Sequence, residues 1–420
     1  MTEIIERDLL NQVTPYLNDP EIIFIHGARQ VGKTSLAQDV MNHLSLSVPT
    51  ESLLWVDMED RGWLEICNRS LDEFMRHVRA KGYDTEHLLY VFLDEIQYLD
   101  NKIPFLKLAY DRYRGRIKLI VTGTSTFSTK SKFKDSMVGR TVDFELFPLS
   151  FSEFLRFKGL SYDLGGVDLP PSIHADLIPL YKEFVLKGSY PAIALEEVEQ
   201  KQEKKLKEII ATCLNTGIPG IVKIRNIQKF NRLVETLAAQ TGSLVNISEL
   251  SETAGLAKQS VEEYLSILED TCFIRMLRPF FHKIRCEFTK MPKVFFEDSG
   301  IAHILENRSF SNRVTGNLFE NSVFSELRKQ FDEESLCYWR TSKNQEVDFI
   351  INKNGIIPIE AKLLFKEREL TSLRYFVKKY GLKKAFVCTL EKPQKSPCSW
   401  LEIIYPWEIA SALNAYLNSN

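Results

Sequence analysis

Residues 22–44 read IIFIHGARQVGKTSLAQDVMNHL, and this stretch decides the fold. An apolar run, IIFI, predicts a short buried strand. GARQVGKT at 27–34 follows it and matches the pattern GxxxxGK[ST]. TSLAQDVMNHL then carries helical apolar spacing. Strand, loop and helix in this order form a phosphate cradle. Gly27 and Gly32 permit a tight turn in which backbone N–H groups converge on an anion. The helix N-terminus adds partial positive charge. The wrapping segment is Gly27, Ala28, Arg29, Gln30, Val31, Gly32, Lys33, Thr34 and Ser35. Lys33 is placed to reach the β- and γ-phosphates of a nucleotide, and the Thr34 hydroxyl to ligate Mg²⁺. A glycine-rich turn that binds nothing would not need both flanks.

The partner element is LLYVFLDE at 88–95. Its apolar run predicts a buried strand with two acids at the carboxyl end, where ligands bind in open parallel sheets. Asp94 is expected to hold Mg²⁺ through water, and Glu95 to orient and polarise an attacking water. Two carboxylates ending a buried strand need a cation or solvent in front of them. IKLIVTGTST ends a strand in hydroxyls, so Thr124 or Ser125 either senses the γ-phosphate or caps a polar turn. Arg140, in VGRTVDF, either stabilises transition-state charge, in cis or from a neighbouring subunit, or forms a surface salt bridge. LLWV at 53–56 and IKLIV at 117–121 add strands, with LDEFMRHVRA and FLKLAYDRYR as intervening helices. The alternation predicts an α/β fold with a parallel sheet covered on both faces.

The chain has 420 residues, enough for about three domains. Lys plus Arg number 54 and Asp plus Glu 56, a formal net charge of -2, which excludes a globally basic nucleic-acid coat. Nucleic-acid binding would need a local patch. No apolar run reaches the length of a membrane span, and MTEIIERDLL carries three acids and no signal core. A cytoplasmic location without membrane attachment is expected. The seven cysteines are scattered and never spaced CxxC, so they read as reduced packing residues.

GLSYDLGGVDLPPS at 159–172 is the first plausible boundary. Beyond it the spacing is helical to about residue 270, and EEVEQKQEKKLKEII at 196–210 reads as a solvated helix. Residues 229–280 have a helix-turn-helix rhythm with a strand and wing after it. In a DNA reader Lys258, Gln259 and Ser260 would face base edges. Glu252, Glu262, Glu263, Glu269 and Asp270 make the unit acidic for that task, and a spacer or lid is the competing reading.

EVDFIINKNGIIPIEAK at 346–362 reads as a hairpin with a three-residue turn, Lys353-Asn354-Gly355. That turn pairs Asn352 with Ile356 and puts Glu346, Asp348, Glu360 and Lys362 on one face, the apolar residues on the other. Glu320, on the amphipathic helix GNLFENSVFSELRKQF, adds a third acid to Asp348 and Glu360. The D…ExK arrangement resembles the PD-(D/E)xK nuclease superfamily, with Val347 in place of the proline. The resemblance implies that Asp348, Glu360 and Glu320 bind Mg²⁺ and that Lys362 orients or activates water. An exposed sheet face with cross-strand charge pairs, or a nuclease-like fold without activity, would leave the same sequence pattern.

GARQVGKTSL, FLDEIQ, VTGTS and the later FELFPLSFSEFL resemble the AAA-type P-loop ATPases that carry a C-terminal domain of unknown function. GSYPA at 188–192 resembles the GG-x-P element of that family's sensor region, with Ser189 replacing a glycine. MPKVFFEDSGIAHIL at 291–305 resembles its K-x-x-F-x-D-x-G-L hallmark. The resemblance implies an ATPase core at 1–160, a helical lid or linker at 161–225, a winged helix-turn-helix at 226–290 and a restriction-endonuclease-like α/β domain at 291–420. It implies ATP and Mg²⁺ as ligands, with ATP hydrolysis coupled to the winged-helix and nuclease-like parts and DNA as a partner. Two alternatives stay open: an ATP-gated metal-dependent nuclease, and a nucleotide-switched scaffold acting on a protein partner or as a homo-oligomer.

Overall fold

The computed structural model describes residues 5–124, 136–165, 169–217, 224, 226–280, 291–353, 355–393 and 395–418. It divides into two compact units. The first is Met1–Phe147 with Asp270–Cys272, and the second is Pro148–Glu269 with Phe273–Asn420. The division falls at Phe147, ahead of the Gly/Pro-rich stretch at 159–172.

The first unit is built on a five-stranded parallel sheet of β1 (Ile22–Gly27), β2 (Leu53–Asp57), β3 (Leu89–Asp94), β4 (Ile117–Thr124) and β5 (Thr141–Glu145), in the order β2-β3-β4-β1-β5. This is the α/β architecture expected from the alternation of apolar runs. Every residue of β3 is buried, as a central parallel strand covered on both faces requires. The helices Leu71–Ala80 and Lys102–Tyr113 bury Phe74, Met75, Val78, Phe105 and Leu106 with Val91 and Leu93 of β3. Ser70 caps the first of these helices by accepting the Glu73 N–H at 3.1 Å. Lys118 of β4 is buried and donates to the carbonyls of Tyr16, Asp19 and Glu21 at 2.6, 2.7 and 2.5 Å. It thereby gives hydrogen bonds to carbonyls of the irregular approach to β1.

β5 was not legible as a strand. It is short, lies at the sheet edge and buries only Phe144 fully.

The second unit carries a seven-stranded sheet, in the order β12-β11-β10-β9-β8-β6-β7. Its strands are β6 (Ile274–Pro279), β7 (Lys293–Phe296), β8 (Leu336–Arg340), β9 (Glu346–Asn352), β10 (Ile356–Ala361), β11 (Ala385–Cys388) and β12 (Leu401–Ile404). β9 and β10 form the expected hairpin, with Asn352 opposite Ile356. Gly355 sits at φ +143, a conformation that glycine favours over other residues. Helices Ile227–Ala239, Ile247–Ala254 and Lys258–Asp270 precede β6, in the helix-turn-helix order read from the sequence. Because β6 pairs with both β7 and β8, strands before residue 280 and after residue 292 share one sheet. The helix Glu199–Thr212 is only partly solvated: Leu206, Ile209 and Ile210 are buried, so the charged tract hides one apolar face.

The segment 188–192 and the 291–305 stretch meet in this unit. Asp298 accepts from the Ser189 N–H at 2.6 Å, the Ser189 hydroxyl at 2.8 Å and the Ile301 N–H at 3.0 Å. Burial raises the Asp298 pKa, and these hydrogen bonds oppose the rise. A Cβ on Gly188 would lie 2.3 Å from Asp298 Oδ1, and one on Gly300 would lie 2.5 Å from the Gly188 nitrogen. The two phrases are therefore halves of one tight joint within the second unit.

Candidate nucleotide site

The loop after β1 is shaped by its neighbours before any ligand is considered. Gly27 has φ +151, and a Cβ there would come within 2.2 Å of the Leu146 carbonyl oxygen. The Leu146 N–H donates to the His26 carbonyl at 2.7 Å, which brings that backbone so near. Gly27 is thus required by close approach as well as by the turn. Gln30 at φ 62 and Gly32 at φ 99 reverse the local backbone handedness, which curls the chain into the helix Lys33–Ser45. Ala28 and Val31 are buried, Arg29 half-buried, and Gln30 and Ser35 exposed.

Arg7 holds the loop from behind. Its guanidinium donates to the carbonyls of Val31 at 2.7 Å and Phe147 at 2.8 Å. Sequence reading missed it, because a lone arginine in a polar N-terminal stretch carries no spacing signal.

Lys33 is buried, and its Nζ donates to the carbonyls of Ala28 at 2.8 Å and Gly27 at 3.4 Å. Burial lowers its pKa, while the carboxylates of Glu95 and Asp94 favour the charged form. The Thr34 hydroxyl donates to Asp94 Oδ1 at 3.2 Å. The Thr122 hydroxyl donates to the same oxygen. Burial raises the Asp94 pKa, opposed by the hydrogen bonds from Thr122 and Thr34. Thr34 and Asp94 thus form a hydroxyl–carboxylate oxygen pair beside Lys33, the donor chemistry that Mg²⁺ prefers.

Glu95 follows with φ 56, a left-handed conformation uncommon for a non-glycine residue. Its N–H donates to Thr122 Oγ1 at 3.0 Å, and its carboxylate accepts from the Gln97 amide nitrogen. The other end of that amide, Gln97 Oε1, accepts the Thr124 N–H at 3.3 Å. Gln97 therefore ties Glu95 to the end of β4. It stood in the quoted phrase FLDEIQ, yet its role depends on two strands that sequence does not juxtapose.

Ser125 lies outside the described residues. Arg140 stands at the opposite end of the sheet from the loop. Its carbonyl accepts the Ile22 N–H at 2.8 Å, at the amino end of β1, whereas the loop leaves the carboxyl end. The length of β1 separates the two by roughly 17 Å at about 3.3 Å per residue. Its side chain pairs with Asp111 at 2.9 Å, the salt-bridge alternative.

In the second unit the structure brings the C-terminal acids and lysines together. Lys362 Nζ lies 2.8 Å from Asp348 Oδ2 and 2.7 Å from Glu360 Oε2. Asp348 Oδ2 also accepts the Ala361 N–H at 2.9 Å. Lys293, the lysine of the 291–305 phrase and not expected in this cluster, pairs with Glu320 at 3.0 Å and Glu346 at 2.6 Å. Burial would lower its pKa, but Glu320, Asp348 and Glu346 together raise it. Burial raises the Glu360 pKa and the Asp348 charge adds to that rise, while the Lys362 ammonium opposes it. Burial and the Asp348 charge push Glu320 up to about 7.

The three acids expected to share a metal ion each face a lysine. Among the described residues no group of three or more His, Cys, Asp or Glu side chains is set to hold a metal ion. Glu320 is engaged by Lys293, and Lys362 stands between Asp348 and Glu360. Lys293 could have been found from sequence, because a lysine inside the apolar run MPKVFF must be paired if that run is buried. At the start of the helix Lys258–Asp270, Lys258 and Gln259 are exposed and Ser260 is half-buried. Glu262 and Glu263 are exposed beside them. Among the described residues no helix is long and apolar enough to cross a membrane.

Residues 19–155 match an AAA domain family. Residues 178–312 and 315–405 match two families described as domains of unknown function, DUF8612 and DUF4143. An uncharacterized protein of Methanocaldococcus jannaschii is 26% identical over 388 residues, spanning 90% of this chain and 82% of its own. An uncharacterized protein of Haemophilus influenzae is 22% identical over 359 residues, spanning 83% of this chain and 84% of its own. Among solved structures, the Aeropyrum pernix ORC1 protein in complex with DNA aligns at TM-score 0.33 and 13% identity, covering 72% of this chain and 92% of that one. The N-terminal segment is thus similar to AAA-type domains across the strands and loop described above.

Proposed function

We propose that the first unit binds ATP with Mg²⁺ and hydrolyses it, and that its nucleotide state controls the second unit. The observation that carries this reading is the Thr34 hydroxyl, 3.2 Å from Asp94 Oδ1, beside the buried ammonium of Lys33. Loop amides between Gly27 and Thr34 and the helix N-terminus would receive the phosphates. Lys33 would exchange its contacts with the Gly27 and Ala28 carbonyls for phosphate oxygens. Thr34 would hold Mg²⁺ directly and Asp94 through water; the ion supplies charge neutralisation on the phosphates. Glu95, held by Gln97, orients and polarises the attacking water, and the proton it draws off passes to its carboxylate.

The test is phosphate release by the full chain compared with Glu95→Gln. The variant is expected to bind ATP as tightly as the wild type while turnover falls at least about a hundredfold. Equal turnover would remove Glu95 from this role.

A second reading concerns the C-terminal cluster. Its acids are buried and neutralised by Lys293 and Lys362, which favours a nucleotide-switched scaffold over an ATP-gated nuclease. No metal-dependent step is derived through it. The full chain is expected to leave single- and double-stranded DNA and RNA intact in Mg²⁺ or Mn²⁺. Cleavage that Lys362→Ala abolishes while ATP turnover persists would establish the nuclease instead. Association with a partner chain or with DNA would be the output of the switch.

A further inference from the structure

From Leu370 to Leu390 the chain carries no acidic residue, but holds Arg374, Lys378, Lys379, Lys383 and Lys384. The helix Thr371–Tyr380 orders most of these cations. Leu373, Phe376 and Val377 face inward, onto a core that includes Val347, Ile350 and Val387. Arg374, Tyr375, Lys378 and Lys379 are exposed on the opposite side, and Lys383 is exposed just beyond the turn at Gly381. Among the described residues Lys384 pairs with Glu402, whereas Arg374, Lys378, Lys379 and Lys383 enter no ion pair.

Other charged faces of the chain are built differently. The helix Glu199–Thr212 pairs Lys207 with Glu203 and Lys204 with Glu208, i and i+4 apart. A solvated helix gains from such alternation, whereas Arg374 and Lys378 repel each other at the same spacing. The start of Lys258–Asp270 has Glu262 and Glu263 beside Lys258. An array of unpaired like charges that the fold keeps on one face suits a polyanion.

An aromatic ring stands among these cations. Tyr375 is 45% exposed, with one side against Trp339 at a centroid distance of 6.0 Å. Lys379 Nζ lies 5.3 Å from the Trp339 ring centroid, which fixes its stem along the same surface. Cations that track a backbone around an aromatic surface on which a base can stack are the requirements for holding an unpaired strand.

We propose that the outer face of Thr371–Tyr380, with Lys383, binds single-stranded nucleic acid: Arg374, Lys378 and Lys383 contact phosphates and Tyr375 stacks on a base. This does not depend on the nucleotide reading, because no residue of the first unit takes part.

The test is fluorescence anisotropy of the full chain with labelled oligo-dT and oligo-rU of twenty nucleotides, and with a DNA duplex of equal length, across a salt series. The wild type is expected to bind the single strands more tightly than the duplex, with affinity falling as salt rises. The triple variant Arg374→Ala, Lys378→Ala, Lys383→Ala should weaken single-strand binding at least tenfold and flatten the salt slope by about 2, since each lost phosphate contact removes about 0.7. Tyr375→Ala should weaken single-strand binding about tenfold while leaving the salt slope unchanged. All substituted side chains are exposed, and unchanged thermal melts would show that the fold persists. Absence of wild-type binding at low salt, wild-type affinity in the triple variant, preference for the duplex, or equal competition by polyglutamate would overturn the proposal. Retained ATP turnover in the triple variant keeps this outcome separate from any failure of the nucleotide reading.

Discussion

Lys33→Ala is expected to lower ATP turnover by a factor of about 10² to 10³, the range for removing one preorganised donor from developing charge. The side chain is buried and its Nζ bonds only loop carbonyls, so the alanine leaves those carbonyls facing the loop interior. The folded unit should survive, because the strands and the core around Phe74 and Phe105 do not use this side chain. Turnover and thermal melting measured on the same preparation separate the two effects. Turnover within about threefold of wild type would mean that Lys33 does not meet the γ-phosphate.

Lys293→Met has the largest expected effect on stability, about 3–5 kcal/mol, because it leaves Glu320, whose side chain is 15% exposed, without its counter-charge, while Glu346 keeps Arg340 at 3.2 Å. The ammonium is within 3.0 Å of Glu320 and 2.6 Å of Glu346, and its side chain is 2% exposed. For a unit of this size the loss corresponds to a melting temperature lower by roughly 10 °C. Replacing Glu320 as well, with Glu320→Gln, should recover a large part of the loss, since Glu346 keeps its pair with Arg340 and no acid is then left without a cation. A single variant within about 1 kcal/mol of wild type would show that water reaches these acids and shares their solvation.

The residues that carried their own signal were legible. A glycine–lysine loop between an apolar run and a helix announces both the strand before it and the helix after it, so β1 and Lys33–Ser45 could be read directly. β3 was legible because its run of apolar residues ends in Asp94 and Glu95. The β9–β10 register was legible because only the three-residue turn gives a clean apolar face. β5 and β12 were not, since a four- or five-residue edge strand has too few alternations to stand out.

The site was legible where one local pattern contained it and opaque where distant segments meet. Arg7 reaches the loop across more than twenty residues of sequence, and Gln97 acts by linking Glu95 to Thr124. Lys293 of β7 meets Glu320 of the helix Gly316–Arg328 and Glu346 of β9, three elements that lie apart in sequence. The same limit explains Arg140: VGRTVDF gave its neighbours in sequence, but not the end of the sheet at which it stands.

The most direct test of the nucleotide reading is an equilibrium titration of the full chain with a fluorescent ATP analogue, with Mg²⁺ and with chelator. Saturable one-site binding is predicted, weaker by at least about tenfold without Mg²⁺ and in Lys33→Ala. Binding that fails to saturate, or that is indifferent to both Mg²⁺ and Lys33, would contradict it.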